Sequence, residues 1–184
     1  MTASTDPRVA VRRIRADEWQ AVRALRVEAT NDPDASIAFL ESPIDVASRT
    51  DQFWQERSSD AAESEVAAQF VAIVRDVWVG SASVLVRATG QVDHLGRYVD
   101  DRRADVVGVY VSPSFRGSGA IDLLLTAAAE WAGSLGLAQI FLDVHRDNAR
   151  AQAAYRRCGF APTGETLSSP IGPEIVMGRA LPRR

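Results

Sequence analysis

The residues of this chain best suited to chemistry lie in two short segments with one helix and one strand between them. The first, Val109 to Ile121, runs an apolar strand into a glycine-rich turn that opens a helix. Arg116, Gly117, Ser118 and Gly119 set one cation and a run of unhindered backbone N–H groups where the first amides of a helix lack partners and its dipole favours anions. That is chemistry for holding phosphate. The second segment, Asn148 to Phe160, contributes Asn148, a phenol at Tyr155 and the thiol of Cys158. Between the two, Asp143 and His145 stand two residues apart, hence on one side of a strand. Asp105 begins the strand before the turn, and Asp93 and His94 lie in a polar stretch upstream. These are the candidates for moving protons.

Positioning those groups needs a scaffold, and the pattern supplies one. Val9 to Ile14 reads as a strand, and Asp17 with Gln20 three residues later reads as a capping-box-like helix start. Trp19, Val22, Leu25 and Ala29 recur at helical spacing until Asn31 to Asp34 break the helix. A second helical segment is expected over Val46 to Arg57, followed by a loop at Ser58 to Ser64. Gln69 to Val74 and Val77 to Val86 form a hairpin about a tight turn at Arg75-Asp76. Gly90 to Arg103 is the longest candidate for a mobile loop. Asp105 to Val111 is near-continuously apolar, the pattern of a strand buried on both faces. The helix after the glycine turn carries Ile121, Leu124, Leu125, Ala128, Trp131, Ala132 and Leu135 as one stripe. Gln139 to Val144 then returns as a strand, so Val106 to Val144 is a right-handed parallel crossover. Asn148 caps the next helix, Gly159 ends it, and a strand over Ile175 to Leu181 closes the chain. The sum is a mixed α/β fold in one domain, with residues 1–8 a disordered tail.

Composition narrows the function classes. The net charge of −3 gives no support to nucleic-acid binding, which depends on basic patches. There is no lysine, so arginine supplies every basic side chain, a bias of GC-rich bacterial genomes. No apolar run approaches the roughly 20 residues that span a bilayer, and the first residues lack a signal-like apolar region. A cytoplasmic protein without membrane partners is expected. The single cysteine, Cys158, excludes an internal disulfide and is assigned to the core.

With the phosphate turn followed by Asn148, Tyr155 and Gly159-Phe160, the chain resembles the GNAT superfamily of N-acetyltransferases from about Val9 to Leu181. The family signature is Arg or Gln, two residues, Gly, one residue, then Gly or Ala. Arg116 and Gly119 match it, whereas Ile121 puts a branched side chain in the last position and Ala120 stands beside it. The resemblance implies an acyl-CoA N-acyltransferase fold, a mostly antiparallel sheet with one parallel crossover and flanking helices. It implies acetyl-CoA as co-substrate, with no metal, and transfer to a primary amine by direct attack in a ternary complex. Val109, Tyr110 and Val111 would meet the pantetheine arm through their backbone. Arg116, Gly117, Ser118, Gly119, Ala120 and Ile121 would wrap the pyrophosphate, with Asn148 and Tyr155 also touching CoA. Tyr155 corresponds to the family's general acid, its other reading being a packing tyrosine. Asp143 is the candidate base, its other reading a carboxylate paired with Arg146. The acceptor groove would be lined by Asn31 to Asp45 and Ser168 to Glu174. Asp32, Asp34, Glu41 and Asp45 then suggest a cationic amine, a small molecule or a protein N-terminus. Homodimerisation is a further family expectation, and a non-catalytic acyl-CoA-binding domain is the alternative function.

Overall fold

A computed structural model describes residues 8–182; most of the expected N-terminal tail lies outside them. Seven strands form one sheet in the order β1-β2-β3-β4-β5-β7-β6, with β1 at Ala10–Arg13, β2 at Ala67–Val74, β3 at Val77–Arg87, β4 at Arg103–Val111, β5 at Gln139–His145, β6 at Ala161–Ser169 and β7 at Gly172–Ala180. Every neighbouring pair is antiparallel except β4 and β5. The helices are α1 (Trp19–Thr30), α2 (Pro43–Ser48), α3 (Asp51–Glu63), α4 (Ala120–Ser134) and α5 (Ala149–Arg157).

Alternation along the strands assigns the two faces. Ala104 and Val106 of β4 and Ile140, Leu142 and Val144 of β5 pack with Leu124, Leu125 and Ala128 of α4. Ile140, Leu124 and Leu125 are fully buried, and each such side chain removed from water stabilises the fold by about 2 kcal/mol. Tyr155 and Cys158 bring α5 onto this same face. On the opposite face, α1 and α3 cover β2 and β3 through Val22, Trp54 and Val71, with Val46 of α2 in the same cluster.

The β2–β3 hairpin turns on two residues, and both Arg75 and Asp76 take positive φ, 49° and 66°, as the tight twist-matched hairpin turn demands. The expected helix over Val46 to Arg57 is instead two helices. Thr50 accepts the Phe53 N–H at 3.2 Å as the cap of α3, just beyond Ser42, which caps α2 and is followed by Pro43. Ser58 to Ser64 is not a loop: α3 runs on to Glu63, because Trp54, Ser58 and Ala61 form a buried stripe whose small residues let the helix lie close to the sheet. The box expected at Asp17 and Gln20 lies two residues earlier, the Glu18 carboxylate accepting the Arg15 N–H at 2.8 Å.

Two further corrections concern the site. β6 was not legible as a strand: its side chains are almost all exposed, and its pairing with β7 rather than its own pattern makes it one. The segment expected to be a mobile loop between β3 and β4 is tied by hydrogen bonds, Asp93 accepting the N–H groups of Leu95 and Arg97 at 2.8 and 2.9 Å, with a bridge between Val92 and Tyr98.

Candidate functional site

The site begins where the sheet comes apart. β4 and β5 pair only over Ala104 with Ile140, Asp105 with Phe141 and Val106 with Leu142. Both strands then continue without each other, β4 to Val111 and β5 to His145. A cleft of about 540 Å³ occupies the gap, lined by Val106 to Val111, by Asp143 to His145 and by residues of α4 and α5. The side of β4 facing the cleft is therefore an unpaired strand edge, a template for an extended ligand.

A bulge shapes that edge. Ser83 pairs with Val107 and Ser81 with Tyr110, so Gly108 and Val109 together oppose Ala82. Gly108 has φ +62°, a conformation that L side chains rarely adopt. The extra residue shifts the alternation by one. Val109 and Val111 join the α4 face, while Tyr110 turns to α1, packing with Leu25, Ala29 and Phe39. Its hydroxyl donates to Glu28 at 3.0 Å, and burial together with that carboxylate pushes its pKa up to about 12.

Beyond β4, a 3-10 turn at Pro113–Phe115 leads into Gly117 and Gly119, with φ +82° and +83°, and Gly119 caps α4. Among the described residues, the amides of Gly117 and Gly119 find no backbone acceptor, and Ala120 and Ile121 follow as the first residues of α4. Gly117, Ala120 and Ile121 line the cleft, whereas Ser118 and Gly119 stand just outside its lining. Ile121 is half-buried against the α4 core cluster. Arg116 also lines the cleft, but its guanidinium is occupied: Nε donates to the Val111 carbonyl at 3.2 Å and Nη2 to Asp32 at 2.5 Å.

From the other side, Asn148 accepts the Ala151 N–H at 3.1 Å and so caps α5, while lining the cleft. Tyr155 is 8% exposed, lines the cleft and has no hydrogen-bond partner for its hydroxyl among the described residues. Burial pushes its pKa well above the ordinary phenol value, the Cys158 side chain adding to this and Arg150 opposing it. Cys158 donates to Asp122 at 3.0 Å, and its thiol is pushed up to about 12 by burial and that carboxylate, the state of an unreactive core cysteine.

Asp143 faces away from α4 and is nearly buried. Arg97 donates to it at 2.8 Å and to Asp93 at 2.5 Å, and His94 Nε2 lies 3.7 Å away. The expected alternative partner, Arg146, is not the one observed. Burial raises the Asp143 pKa, with Arg97 and His94 pulling it down. Asp105 pairs instead with Arg103 at 2.7 Å and does not line the cleft. His145 accepts the Asp147 N–H through Nδ1 at 3.1 Å. Glu174 of β7 pairs with His145 across the strands, lines the cleft, and buries its Oε2 without a partner.

A strand edge, a double-glycine helix start and a buried phenol around one cleft set the terms for comparison with known proteins. The model of the acetyltransferase (GNAT) family matches residues 19–160. The chain belongs to this family. An aminoglycoside N(6')-acetyltransferase type 1 of Stenotrophomonas maltophilia is 34% identical over 70 residues, 36% of this chain and 46% of that protein. A mycothiol acetyltransferase of Amycolatopsis mediterranei is 40% identical over 65 residues, 35% of this chain and 22% of that protein. The chain thus spans less than half the length of these relatives. Among solved structures, an acetyltransferase of the GNAT family from Streptococcus pneumoniae has a TM-score of 0.76 at 17% identity, covering 95% of this chain and 100% of that one. Aminoglycoside acetyltransferase AAC(6')-Ib in complex with coenzyme A has a TM-score of 0.67 at 20% identity, covering 94% and 95%. At these identities the likeness is one of fold.

Three features of this GNAT chain escaped the sequence reading. The bulge at Gly108 had a signal, an isolated glycine inside an apolar strand. Arg97 as the partner of Asp143 had none, since the contact joins residues 46 apart. The third concerns the acidic segment after α1. Asp32 is paired with Arg116 and Asp34 with Arg150, Glu41 with Arg26 and Arg49, and Asp45 bonds Ser42 outside the cleft. Each carboxylate that suggested a cationic acceptor is already engaged. Among the described residues, no group of three or more His, Cys, Asp or Glu side chains is placed to hold a metal ion. No described helix is long and apolar enough to cross a membrane.

Proposed function

We propose that this GNAT chain transfers acetyl from acetyl-CoA to a primary amine by direct attack in a ternary complex. The observation that carries the reading is the parted β4–β5 seam, an unpaired strand edge that leads directly to the amides of the α4 turn. The pantetheine arm is then an added strand along Val109, Tyr110 and Val111, and the pyrophosphate sits on the amides of Gly117 to Ile121. Arg116 braces that turn through Val111 and Asp32, and its charge is shared with the phosphates rather than held for them.

The bulge at Gly108 turns a backbone N–H toward the thioester carbonyl, where it stabilises the oxyanion as the amine nitrogen attacks the carbonyl carbon. The C–S bond breaks and negative charge moves to sulfur. Tyr155, kept neutral by burial, donates to that sulfur as the charge develops and delivers its proton to the thiolate. Before attack the ammonium gives one proton to Asp143, whose burial makes it a better base than an ordinary carboxylate, and the second proton that the nitrogen sheds as the amide forms returns, through solvent in the cleft, to Tyr155. Glu174, buried with a free oxygen on the same side of the sheet, offers the incoming ammonium a partner. The small-molecule or protein nature of the acceptor and the homodimer stay with the family resemblance, while a cationic acceptor rests on Asp32, Asp34, Glu41 and Asp45, each already engaged.

The test is release of CoA thiol from acetyl-CoA across a broad panel of amines. Turnover with at least one amine, absent without it, is the expected result. Binding of acetyl-CoA with no turnover on any amine would sink the catalytic reading in favour of a binding domain.

A further inference from the structure

The charges that line the acceptor side of the cleft do not cancel evenly. On the α1–α3 wall, three guanidinium groups, Arg26, Arg49 and Arg57, surround one carboxylate, Glu41. Arg26 reaches Glu41 at 2.8 Å and Arg49 at 3.4 Å, so Glu41 is fully used. Arg57 makes no ion pair or hydrogen bond among the described residues. It lines the cleft and also a smaller cavity shared with Gly108, Gln69, Ser81 and Ser83, which sets it by the bulge rather than by the phosphate turn. Solvent reaches it through the cleft while protein crowds around it, and that crowding, with the Arg26 charge, lowers its pKa against the opposing pull of Glu41. On the β5–β7 wall the imbalance has the opposite sign: one arginine, Arg97, serves both Asp93 and Asp143, with His94 3.7 Å from the latter, and Glu174 forms no ion pair among the described residues.

We propose that the acceptor is an amine that carries its own carboxylate, the carboxylate held by Arg57 and the ammonium end directed toward Glu174 and Asp143. This rests on the acetyl-transfer reading and names the substrate class of that site. A planar guanidinium with its donors free binds a carboxylate through two parallel hydrogen bonds, and an ampholyte answers both walls at once. A polycation would answer only one of them and would face the unpaired guanidinium of Arg57.

The experiment uses the full chain with acetyl-CoA and matched amines that differ only at the anion: glycine with glycinamide, β-alanine with β-alaninamide, lysine with cadaverine, and phosphoethanolamine with ethanolamine. The expected result is a kcat/KM about 10- to 100-fold higher for a carboxylate-bearing member than for its neutral partner, the range of a hydrogen-bonded charge. Arg57→Gln should bring that ratio near one, mostly through KM, and Arg57→Lys should keep part of it. Preference for cadaverine or spermidine over every carboxylate-bearing amine overturns the proposal, as does preference for phosphoethanolamine, or a ratio that survives Arg57→Gln. Thermal stabilisation by the same amines in the presence of CoA supplies a second readout. Stabilisation by carboxylate-bearing amines, lost in Arg57→Gln, sustains the site even with no turnover on any amine, an outcome that would reject only the acetyl-transfer reading; no such stabilisation rejects the site. Unchanged stabilisation of Arg57→Gln by CoA shows that the variant is folded.

Discussion

Tyr155 buries its ring, while its hydroxyl has no hydrogen-bond partner among the described residues and the cleft leaves it free to serve something else. In the proposed reaction that something is the departing sulfur. Tyr155→Phe keeps the ring that packs 6.3 Å from Phe160 and removes only the donor, so the fold and CoA binding should be unaffected while kcat falls on the order of 100-fold. Steady-state kinetics with a thiol probe decides it, and an unchanged kcat would return Tyr155 to a packing role. This residue was legible from the sequence because its signals are local: a capped helix, a stop at Gly159 and an aromatic at fixed spacing. Asp143 was legible as a strand carboxylate, but Arg97 was not, because nothing in a polar loop marks which of its arginines will reach another element.

At the scale of elements, the parting of β4 from β5 matters more than any single side chain. Two parallel strands that diverge after three pairs expose backbone groups which must find partners in water or ligand. The crossover itself could be read from periodicity, and so could the hairpin from its two-residue turn. β6 could not, because Ala161-Pro-Thr-Gly-Glu-Thr sets its two threonines among proline, glycine and glutamate without apolar alternation and owes its conformation to β7. α3 failed for the opposite reason: small polar residues imitate a loop, while Ser58 is in fact fully buried with its hydroxyl unpaired. Ser58→Ala should therefore be neutral or stabilising, by up to about 1 kcal/mol. Thermal melts would show a midpoint unchanged or raised by about 2–4 °C; a clear fall would mean that the hydroxyl has a partner in water.

For the molecule as a whole, the cleft splits a sheet that otherwise runs unbroken from β1 to β6, so the two halves meet through a short seam and through α4 and α5. A ligand laid along both strands joins what the seam leaves apart. Acetyl-CoA at about 100 times its dissociation constant should stabilise the native state by about 2.7 kcal/mol and raise the melting midpoint by about 5–10 °C. Calorimetry with and without acetyl-CoA checks this, and the absence of any shift would argue against the cleft as the binding place. The bulge at Gly108 adds a last consequence. Before it, each residue of β4 and its partner on β3 have numbers summing to 190, as Val107 with Ser83; after it, to 191, as Tyr110 with Ser81. Deleting Gly108 would make the sum constant and leave Val109, Tyr110 and Val111 on the faces they already occupy. A shorter chain should thus fold with its register mended and its melting little changed, yet lose the turned N–H and, with it, about 100-fold or more in turnover. The position is an inserted residue that packing can do without and the proposed chemistry cannot.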